Sequence, residues 1–331
     1  MIEQNEYLFS SSFLRAGEGV GTPAQRMMRM LEAQTPAQLY AAMAEMFRVS
    51  CAEETTVFDT ALGDAVERVR GAVPDFTVFA PLLYKYDCTN IKTVLKCLVQ
   101  NISAYDAFYT CGTVAAAEMQ QAVNTGVFPT LPPAMGAAAE AARLEYGKTG
   151  EVRCIDLLLD QACYRDMADA AAAGGVELIQ TVVTMRADFA NILACLRIRA
   201  SGVSHETGAA LLTRAFVPGG QIGREQLLSA EHGCSTLPEI AQKIQDAYVK
   251  DAVRRAAGVS ASDFLTVEKV FDDAVLRATE AYRYVPFGPE VIVRYLLLRE
   301  AEVRNGRVVA SRFAAGVDAE TIRERLCDVN V

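Results

Sequence analysis

The stretch "YDCTNIKTVLK", residues 86–96, decides how this chain folds. It opens like a loop, with Asp87, Thr89 and Asn90, and then sets Ile91, Val94, Leu95 and Leu98 at helical spacing. Residues three or four apart on a helix are neighbours, so Asp87 and Asn90 share a face that Val94 continues one turn later. An acid and an amide at the head of an apolar stripe are half buried. Without partners they would cost several kcal/mol, so they must be hydrogen-bonded to a neighbouring element.

The pair recurs. "DFANIL" (188–193) carries Asp188 and Asn191, and "EVRNGR" (302–307) carries Glu302 and Asn305. Cys195 and Val309 continue these faces as Val94 continues the first. Upstream of each lies a second element, two apolar residues, Asp, any residue, Ala and an apolar residue: "VFDTAL" with Asp59, "LLDQAC" with Asp160 and "VFDDAV" with Asp272. The separation from this Asp to the amide is 31, 31 and 33 residues in the three copies. Two motifs holding register over three copies define an internal repeat, with units at 1–105, 106–202 and 203–331. Each is near the commonest domain size, and together they point to a pseudo-threefold helical assembly.

Helical period runs through the rest of the chain, in "AQRMMRMLEAQ", "AQLYAAMAEMF", "VRCIDLLLDQACYRDMADAAA", "VELIQTVVTMRADFANILACLRIRA" and "FGPEVIVRYLLLREAEVRNGRVVASRF". Convincing alternating strands are absent, and the β-branched Thr181–Thr184 stretch sits inside a helical pattern. The fold class is all-α. Glycine and proline break the helices at 18–23, 71–76, 125–136, 172–176 and 216–223.

Composition narrows the function. Of 331 residues, 51% are hydrophobic and 22% charged, a globular balance. A net charge of −9 and a pI near 5.0 lack the basic surface a phosphate backbone requires, so no nucleic-acid partner is expected. Apolar runs fall far short of the ~20 residues that cross a bilayer. "MIEQNEYLFSSS" has neither the basic nor the apolar part of a secretory signal, which gives a cytosolic reading. The nine cysteines are scattered without C-x-x-C spacing and read mostly as small core residues.

For the repeated polar residues the residues themselves favour a clamp that fixes the angle between two helices of a unit. In it the first-helix Asp would accept from the partner or cap an adjacent helix. Basic residues follow each amide: Lys92 and Lys96, Arg197 and Arg199, Arg307 and Arg312. The competing reading is an active site of inward-facing acids. It lacks the Glu-x-x-His of metal-binding bundles, and the two histidines, His205 and His232, fall in turns or helix ends. "GEGVG" (17–21) follows no strand, and "PGGQIGREQ" (218–226) lacks the Gly-Lys-Ser/Thr of a phosphate loop, so no cofactor or metal site is expected. A helical enzyme with an unrecognised thiol or carboxylate site and a generic helical-repeat scaffold are the alternatives.

The stretch "FGPEVIVRYLLLREAEVRNGRVVASRFAAGVDAETIRERL" (287–326) closely resembles the end of the C subunit of the V/A-type (vacuolar/archaeal-type) rotary ATPases, related to the d subunit of the vacuolar ATPase. That family usually has a Tyr-Leu-Leu helix, Lys-Glu-x-Glu-Ile-x-Asn, and an acidic, Arg-containing last helix. "LLYKYDCTNIKTVLK" (82–96) is similar to its Tyr-Asp-x-x-Asn-x-Lys element. Arg299 stands where the family often has Lys, Gly306 where it has Ile or Leu, and "FLRAGEGVGTP" breaks a usually more continuous helix. The resemblance implies a non-catalytic, funnel-shaped protein, one copy per complex, peripheral on the cytoplasmic side and without bilayer insertion. It would seat the foot of the central stalk, sit on the membrane rotor ring and pass torque between them. Loop ends such as "FVPGGQIG" would line the stalk socket, and the acidic net charge would suit a basic stalk foot.

Overall fold

The computed structural model describes residues 4–18, 20–50, 56–102, 108–228, 234–259 and 263–329. Among these residues there is no strand, and the chain is all-α. Cys51, His232 and the expected boundary near 105 lie outside the described residues.

Sixteen α-helices follow one another among the described residues: α1 Leu8–Ala16, α2 Pro23–Glu32, α3 Pro36–Phe47, α4 Val57–Ala72, α5 Tyr84–Gln100, α6 Ala116–Thr125, α7 Pro133–Thr149, α8 Arg153–Gly174, α9 Glu177–Ala200, α10 His205–Ala215, α11 Arg224–Leu227, α12 Leu237–Lys243, α13 Ala247–Ala256, α14 Phe264–Arg277, α15 Pro289–Ala315 and α16 Ala319–Arg323. Their starts are written in the sequence. Thr22, Thr35, Ser204, Thr236, Asp263 and Asp318 each accept a first-turn N–H, and Pro23, Pro36, Pro133 and Pro289 occupy first-turn positions where a missing N–H costs nothing. Two local expectations change. Helix α5 already starts at Tyr84, so Asp87 and Asn90 are helical rather than loop residues, and α7 begins inside the expected break at 125–136.

The chain forms two compact units, one of residues 1–76 with 255–331 and one of residues 77–254. In the first, α15 packs against α1, α2, α3, α4, α14 and α16. Val291, Ile292, Val293, Tyr295, Leu296, Leu297, Val303 and Val309 are all buried, the all-round apolar pattern of a central helix. In the second, α8 is the hub, packed on α5, α7, α9 and α10.

Within each unit a motif helix lies on the first motif helix of another repeat: α5 on α8, and α15 on α4. Compactness therefore divides the chain at different places from the sequence repeat.

Candidate functional site: buried acid and amide latches

Asn90, Asn191 and Asn305 are each at most 1% exposed, and all three make the same pair of bonds. The Asn90 Nδ2 donates to the carbonyl of Tyr109 at 2.9 Å, and the Tyr109 N–H donates back to Oδ1 at 2.9 Å. Asn191 holds Val217 in this way at 2.9 and 2.8 Å, and Asn305 holds Cys327 at 2.9 and 2.8 Å. The side-chain amide copies a peptide group, donor beside acceptor, and pairs with one residue's backbone as a neighbouring strand would. Each latch thus straps the segment after a motif helix back onto that helix.

The acids finish the strap in the first two copies. Asp87, fully buried, accepts the Thr113 N–H at 3.0 Å, the Thr113 hydroxyl at 2.6 Å and the Val114 N–H at 3.0 Å. Asp188 accepts the Ile222 N–H at 2.9 Å, and the Gln221 N–H lies near enough to favour its charged form. The acid precedes its amide by one helical turn, yet it holds residues four and five beyond the amide's partner. The strapped segment therefore runs back toward the helix N-terminus.

Between the two contacts stands a glycine, Gly112 or Gly220, so close that a Cβ would lie 2.2 Å from the Oδ1 of Asp87 or Asp188. No other residue leaves room for the carboxylate there. Burial pushes the Asp188 carboxyl up to about 6; the Ile222 and Gln221 N–H groups pull against this, and nearby Asp246 adds to it.

The third copy substitutes guanidinium groups for backbone N–H groups. Glu302, 1% exposed, accepts Arg26 Nε at 2.7 Å and pairs with its Nη2 at 2.6 Å and with Arg299 Nη1 at 3.1 Å. Glutamate's extra methylene gives the reach. The broken N-terminal segment closes over this triad: the Gly21 carbonyl accepts from Arg26 at 2.5 Å and the Glu18 carbonyl from Arg299 at 2.8 Å. The Phe47 ring lies 4.1 Å from the Arg299 guanidinium carbon. Burial drives the Glu302 carboxyl upward while Arg299 and Arg26 draw it down.

The first-helix acids are not part of these latches. Asp160 pairs with Lys92 at 2.5 Å, Asp59 with Arg307 at 2.7 Å and Asp272 with Arg304, all three carboxylates nearly half exposed. Such pairs contribute only about 0–1 kcal/mol each. Capping of an adjacent helix falls instead to Asp166, which is buried on α8 and accepts the Ala134 and Met135 N–H groups at 2.9 and 2.8 Å in the first turn of α7. His205 begins α10 on an exposed surface. The loop "FVPGGQIG" buries Val217 and Ile222 and serves the second latch.

Sequence reasoning missed Tyr109, Val217 and Cys327, which take part through backbone atoms that every residue carries. It also missed Gly112 and Gly220, although "YTCGTV" (109–114) and "VPGGQI" (217–222) share a glycine in the fourth position and a β-branched residue in the sixth. The distance from amide to partner, 19, 26 and 22 residues in the three copies, hides that likeness.

An all-α architecture and a recurring acid and amide latch that binds the chain's own backbone define the class: a helical protein with a repeated internal strap. The chain belongs to the ATP synthase (C/AC39) subunit family, whose model matches residues 55–325. The A-type ATP synthase C subunit of Pyrococcus horikoshii is 26% identical over 343 aligned positions, spanning 96% of this chain and 89% of that protein. That of Haloferax volcanii is 26% identical over 268 residues, 76% of this chain and 74% of its own. That of Pyrococcus furiosus reaches 31% over 156 residues, 46% of this chain and 40% of its own. No helix among the described residues is long and apolar enough to cross a membrane.

Proposed function

We propose that this chain is a non-catalytic rotor subunit of a V/A-type, H+- or Na+-transporting ATPase or ATP synthase. One copy would join the central stalk to the membrane rotor ring on the cytoplasmic side and transmit torque between them. Its three repeat units would form a funnel whose socket takes the stalk foot. The observation that carries this reading is family membership across residues 55–325, with relatives that are C subunits of A-type ATP synthases spanning nearly the whole chain.

The latches support it. Torque transfer asks for stiffness rather than chemistry, and a strap bonded at both amide and acid resists sliding along its helix. Every hydrogen bond described for the three asparagines goes to the protein's own backbone, which suits a mechanical role better than a catalytic one.

The test mixes the purified chain with the central-stalk subunits and the detergent-solubilised rotor ring of its own organism. Size-exclusion with light scattering should find one copy in a ternary complex. A chain that remains apart from both stalk and ring would overturn the proposal.

A further inference from the structure

Helix α1 is turned inside out. Its inner side carries Ser10 and Ser11, 1% and 0% exposed, while Leu8, Phe9 and Phe13 stand 47%, 67% and 42% exposed. The Phe9 and Phe13 rings, one turn apart, stack with centroids at 5.8 Å. Burial of apolar surface alone would turn the phenylalanines inward and the serines out.

Hydrogen bonds fix the observed orientation. The Ser10 hydroxyl donates to the Ala72 carbonyl at 2.6 Å, the Gly288 N–H donates to the Ser11 hydroxyl at 3.3 Å, and the Arg15 guanidinium donates to the Val285 carbonyl. Rolling the helix to bury its rings would break all three, so the apolar face is held outward.

The charge beside this face has one sign. Residues 7–17 and 281–289, which these bonds bring together, hold Arg15 and Arg283, both exposed, and no acid, in a chain where acids outnumber Lys and Arg 41 to 32. Glu6, Glu18, Glu280 and Glu290 stand just outside the two segments. Tyr284, 86% exposed, has the Arg283 guanidinium carbon 5.6 Å from its ring centroid.

The size of the face separates its possible occupants. A stable protein partner covers about 800 Å² of each surface. An aromatic side chain supplies ~150–250 Å² when it is wholly buried, so the partly exposed Leu8, Phe9 and Phe13 offer only on the order of 300 Å². That is too little for a second copy of this chain. It suits shallow immersion in a lipid surface, where apolar side chains dip beneath the headgroups while arginines reach the phosphates.

We propose that the outward face of α1, flanked by Tyr284, Arg15 and Arg283, rests on an anionic phospholipid surface at headgroup depth. The helix lies on the bilayer and does not span it. Vesicles contain no ATPase subunits, so this contact is tested apart from the rotor reading.

The test is co-flotation of the full-length chain with vesicles of phosphatidylcholine alone or mixed with phosphatidylglycerol. The wild type should float with the mixed vesicles, and less so as salt rises. Both rings are exposed, so F9S/F13S should keep the wild-type thermal midpoint yet lose at least about tenfold in vesicle affinity. Arg283→Gln should lose about fivefold on mixed vesicles and almost nothing on pure phosphatidylcholine. The chain has no tryptophan, so Phe13→Trp supplies a single reporter whose emission should shift to the blue on mixed vesicles. A wild type that stays off the mixed vesicles, equal flotation of F9S/F13S, or an unshifted emission would each overturn the proposal. So would self-association in light scattering that F9S/F13S abolishes, which assigns the face to a second copy, or a blue shift produced by the central-stalk subunits in lipid-free buffer, which assigns it to a protein partner.

Discussion

Asparagine offers a donor and an acceptor side by side on a short stem, and the latches use both at once. Alanine at position 191 would leave the buried N–H and C=O of Val217 without partners, at about 1–3 kcal/mol per group. Asn191→Ala should therefore lose about 2–6 kcal/mol in urea unfolding. Asn191→Asp should lose at least as much, because a carboxylate cannot donate to the Val217 carbonyl. A loss below about 1 kcal/mol in both variants would show that the latch is not a principal tie. Asp188 adds a pH dependence. Its carboxyl titrates at about 6 in the folded chain against 3.8 for the ordinary group, so between these values the folded state holds the extra proton. Its contribution falls as pH rises through that window, by a total of about 3 kcal/mol. Subtracting the stability–pH curve of Asp188→Asn from that of the wild type should leave this downward step between pH 4 and 6; a flat difference would contradict it. The acid and amide pairs were legible because side chains carry them and their spacing repeats. Their partners were not, because a backbone N–H has no letter in the sequence.

At the scale of the element, the helical period of α15 could be read along its length, but the reason for Gly306 could not. A Cβ there would meet Phe58 Cε1 at 2.7 Å, Met43 Cε at 3.0 Å and Met43 Sδ at 3.2 Å. The glycine lets α3 and α4 approach α15 closely, a tertiary demand that helical propensity alone would read as a defect. Alanine would gain about 1 kcal/mol of helix propensity and would overpack the contact by about 1–3 kcal/mol. Gly306→Ala should thus lower the thermal midpoint modestly, and Gly306→Leu far more. Combining Gly306→Ala with Phe58→Leu should recover part of the loss, since the ring atom in the way is removed. Strictly additive losses in the double variant would place the strain elsewhere. The Arg26–Glu302–Arg299 triad was hidden in the same way: Arg299 and Glu302 stand at i, i+3 spacing on α15, but Arg26 reaches Glu302 only through the fold, 276 residues away in the chain.

For the whole molecule, the repeat and the compact units make different statements about which pieces of chain can stand alone. Residues 77–254 contain both partners of the Asn90 and Asn191 latches, the Lys92–Asp160 and Lys96–Asp156 pairs and the Asp166 cap. Residues 1–76 instead depend on α15, which supplies Arg307 to Asp59 and Glu302 to Arg26. Expressed separately, the 77–254 fragment should fold and unfold cooperatively, whereas the 1–76 fragment should remain largely unfolded until the 255–331 segment is added. A fragment cut at the repeat boundaries, 106–202, keeps Asn191 but loses Val217, and it also loses all of α5. It should lack a cooperative transition in calorimetry. Were it to fold as well as 77–254, the repeat unit rather than the strapped pair of helices would be the unit of stability. The latches would then be ties between finished domains, not conditions for forming them.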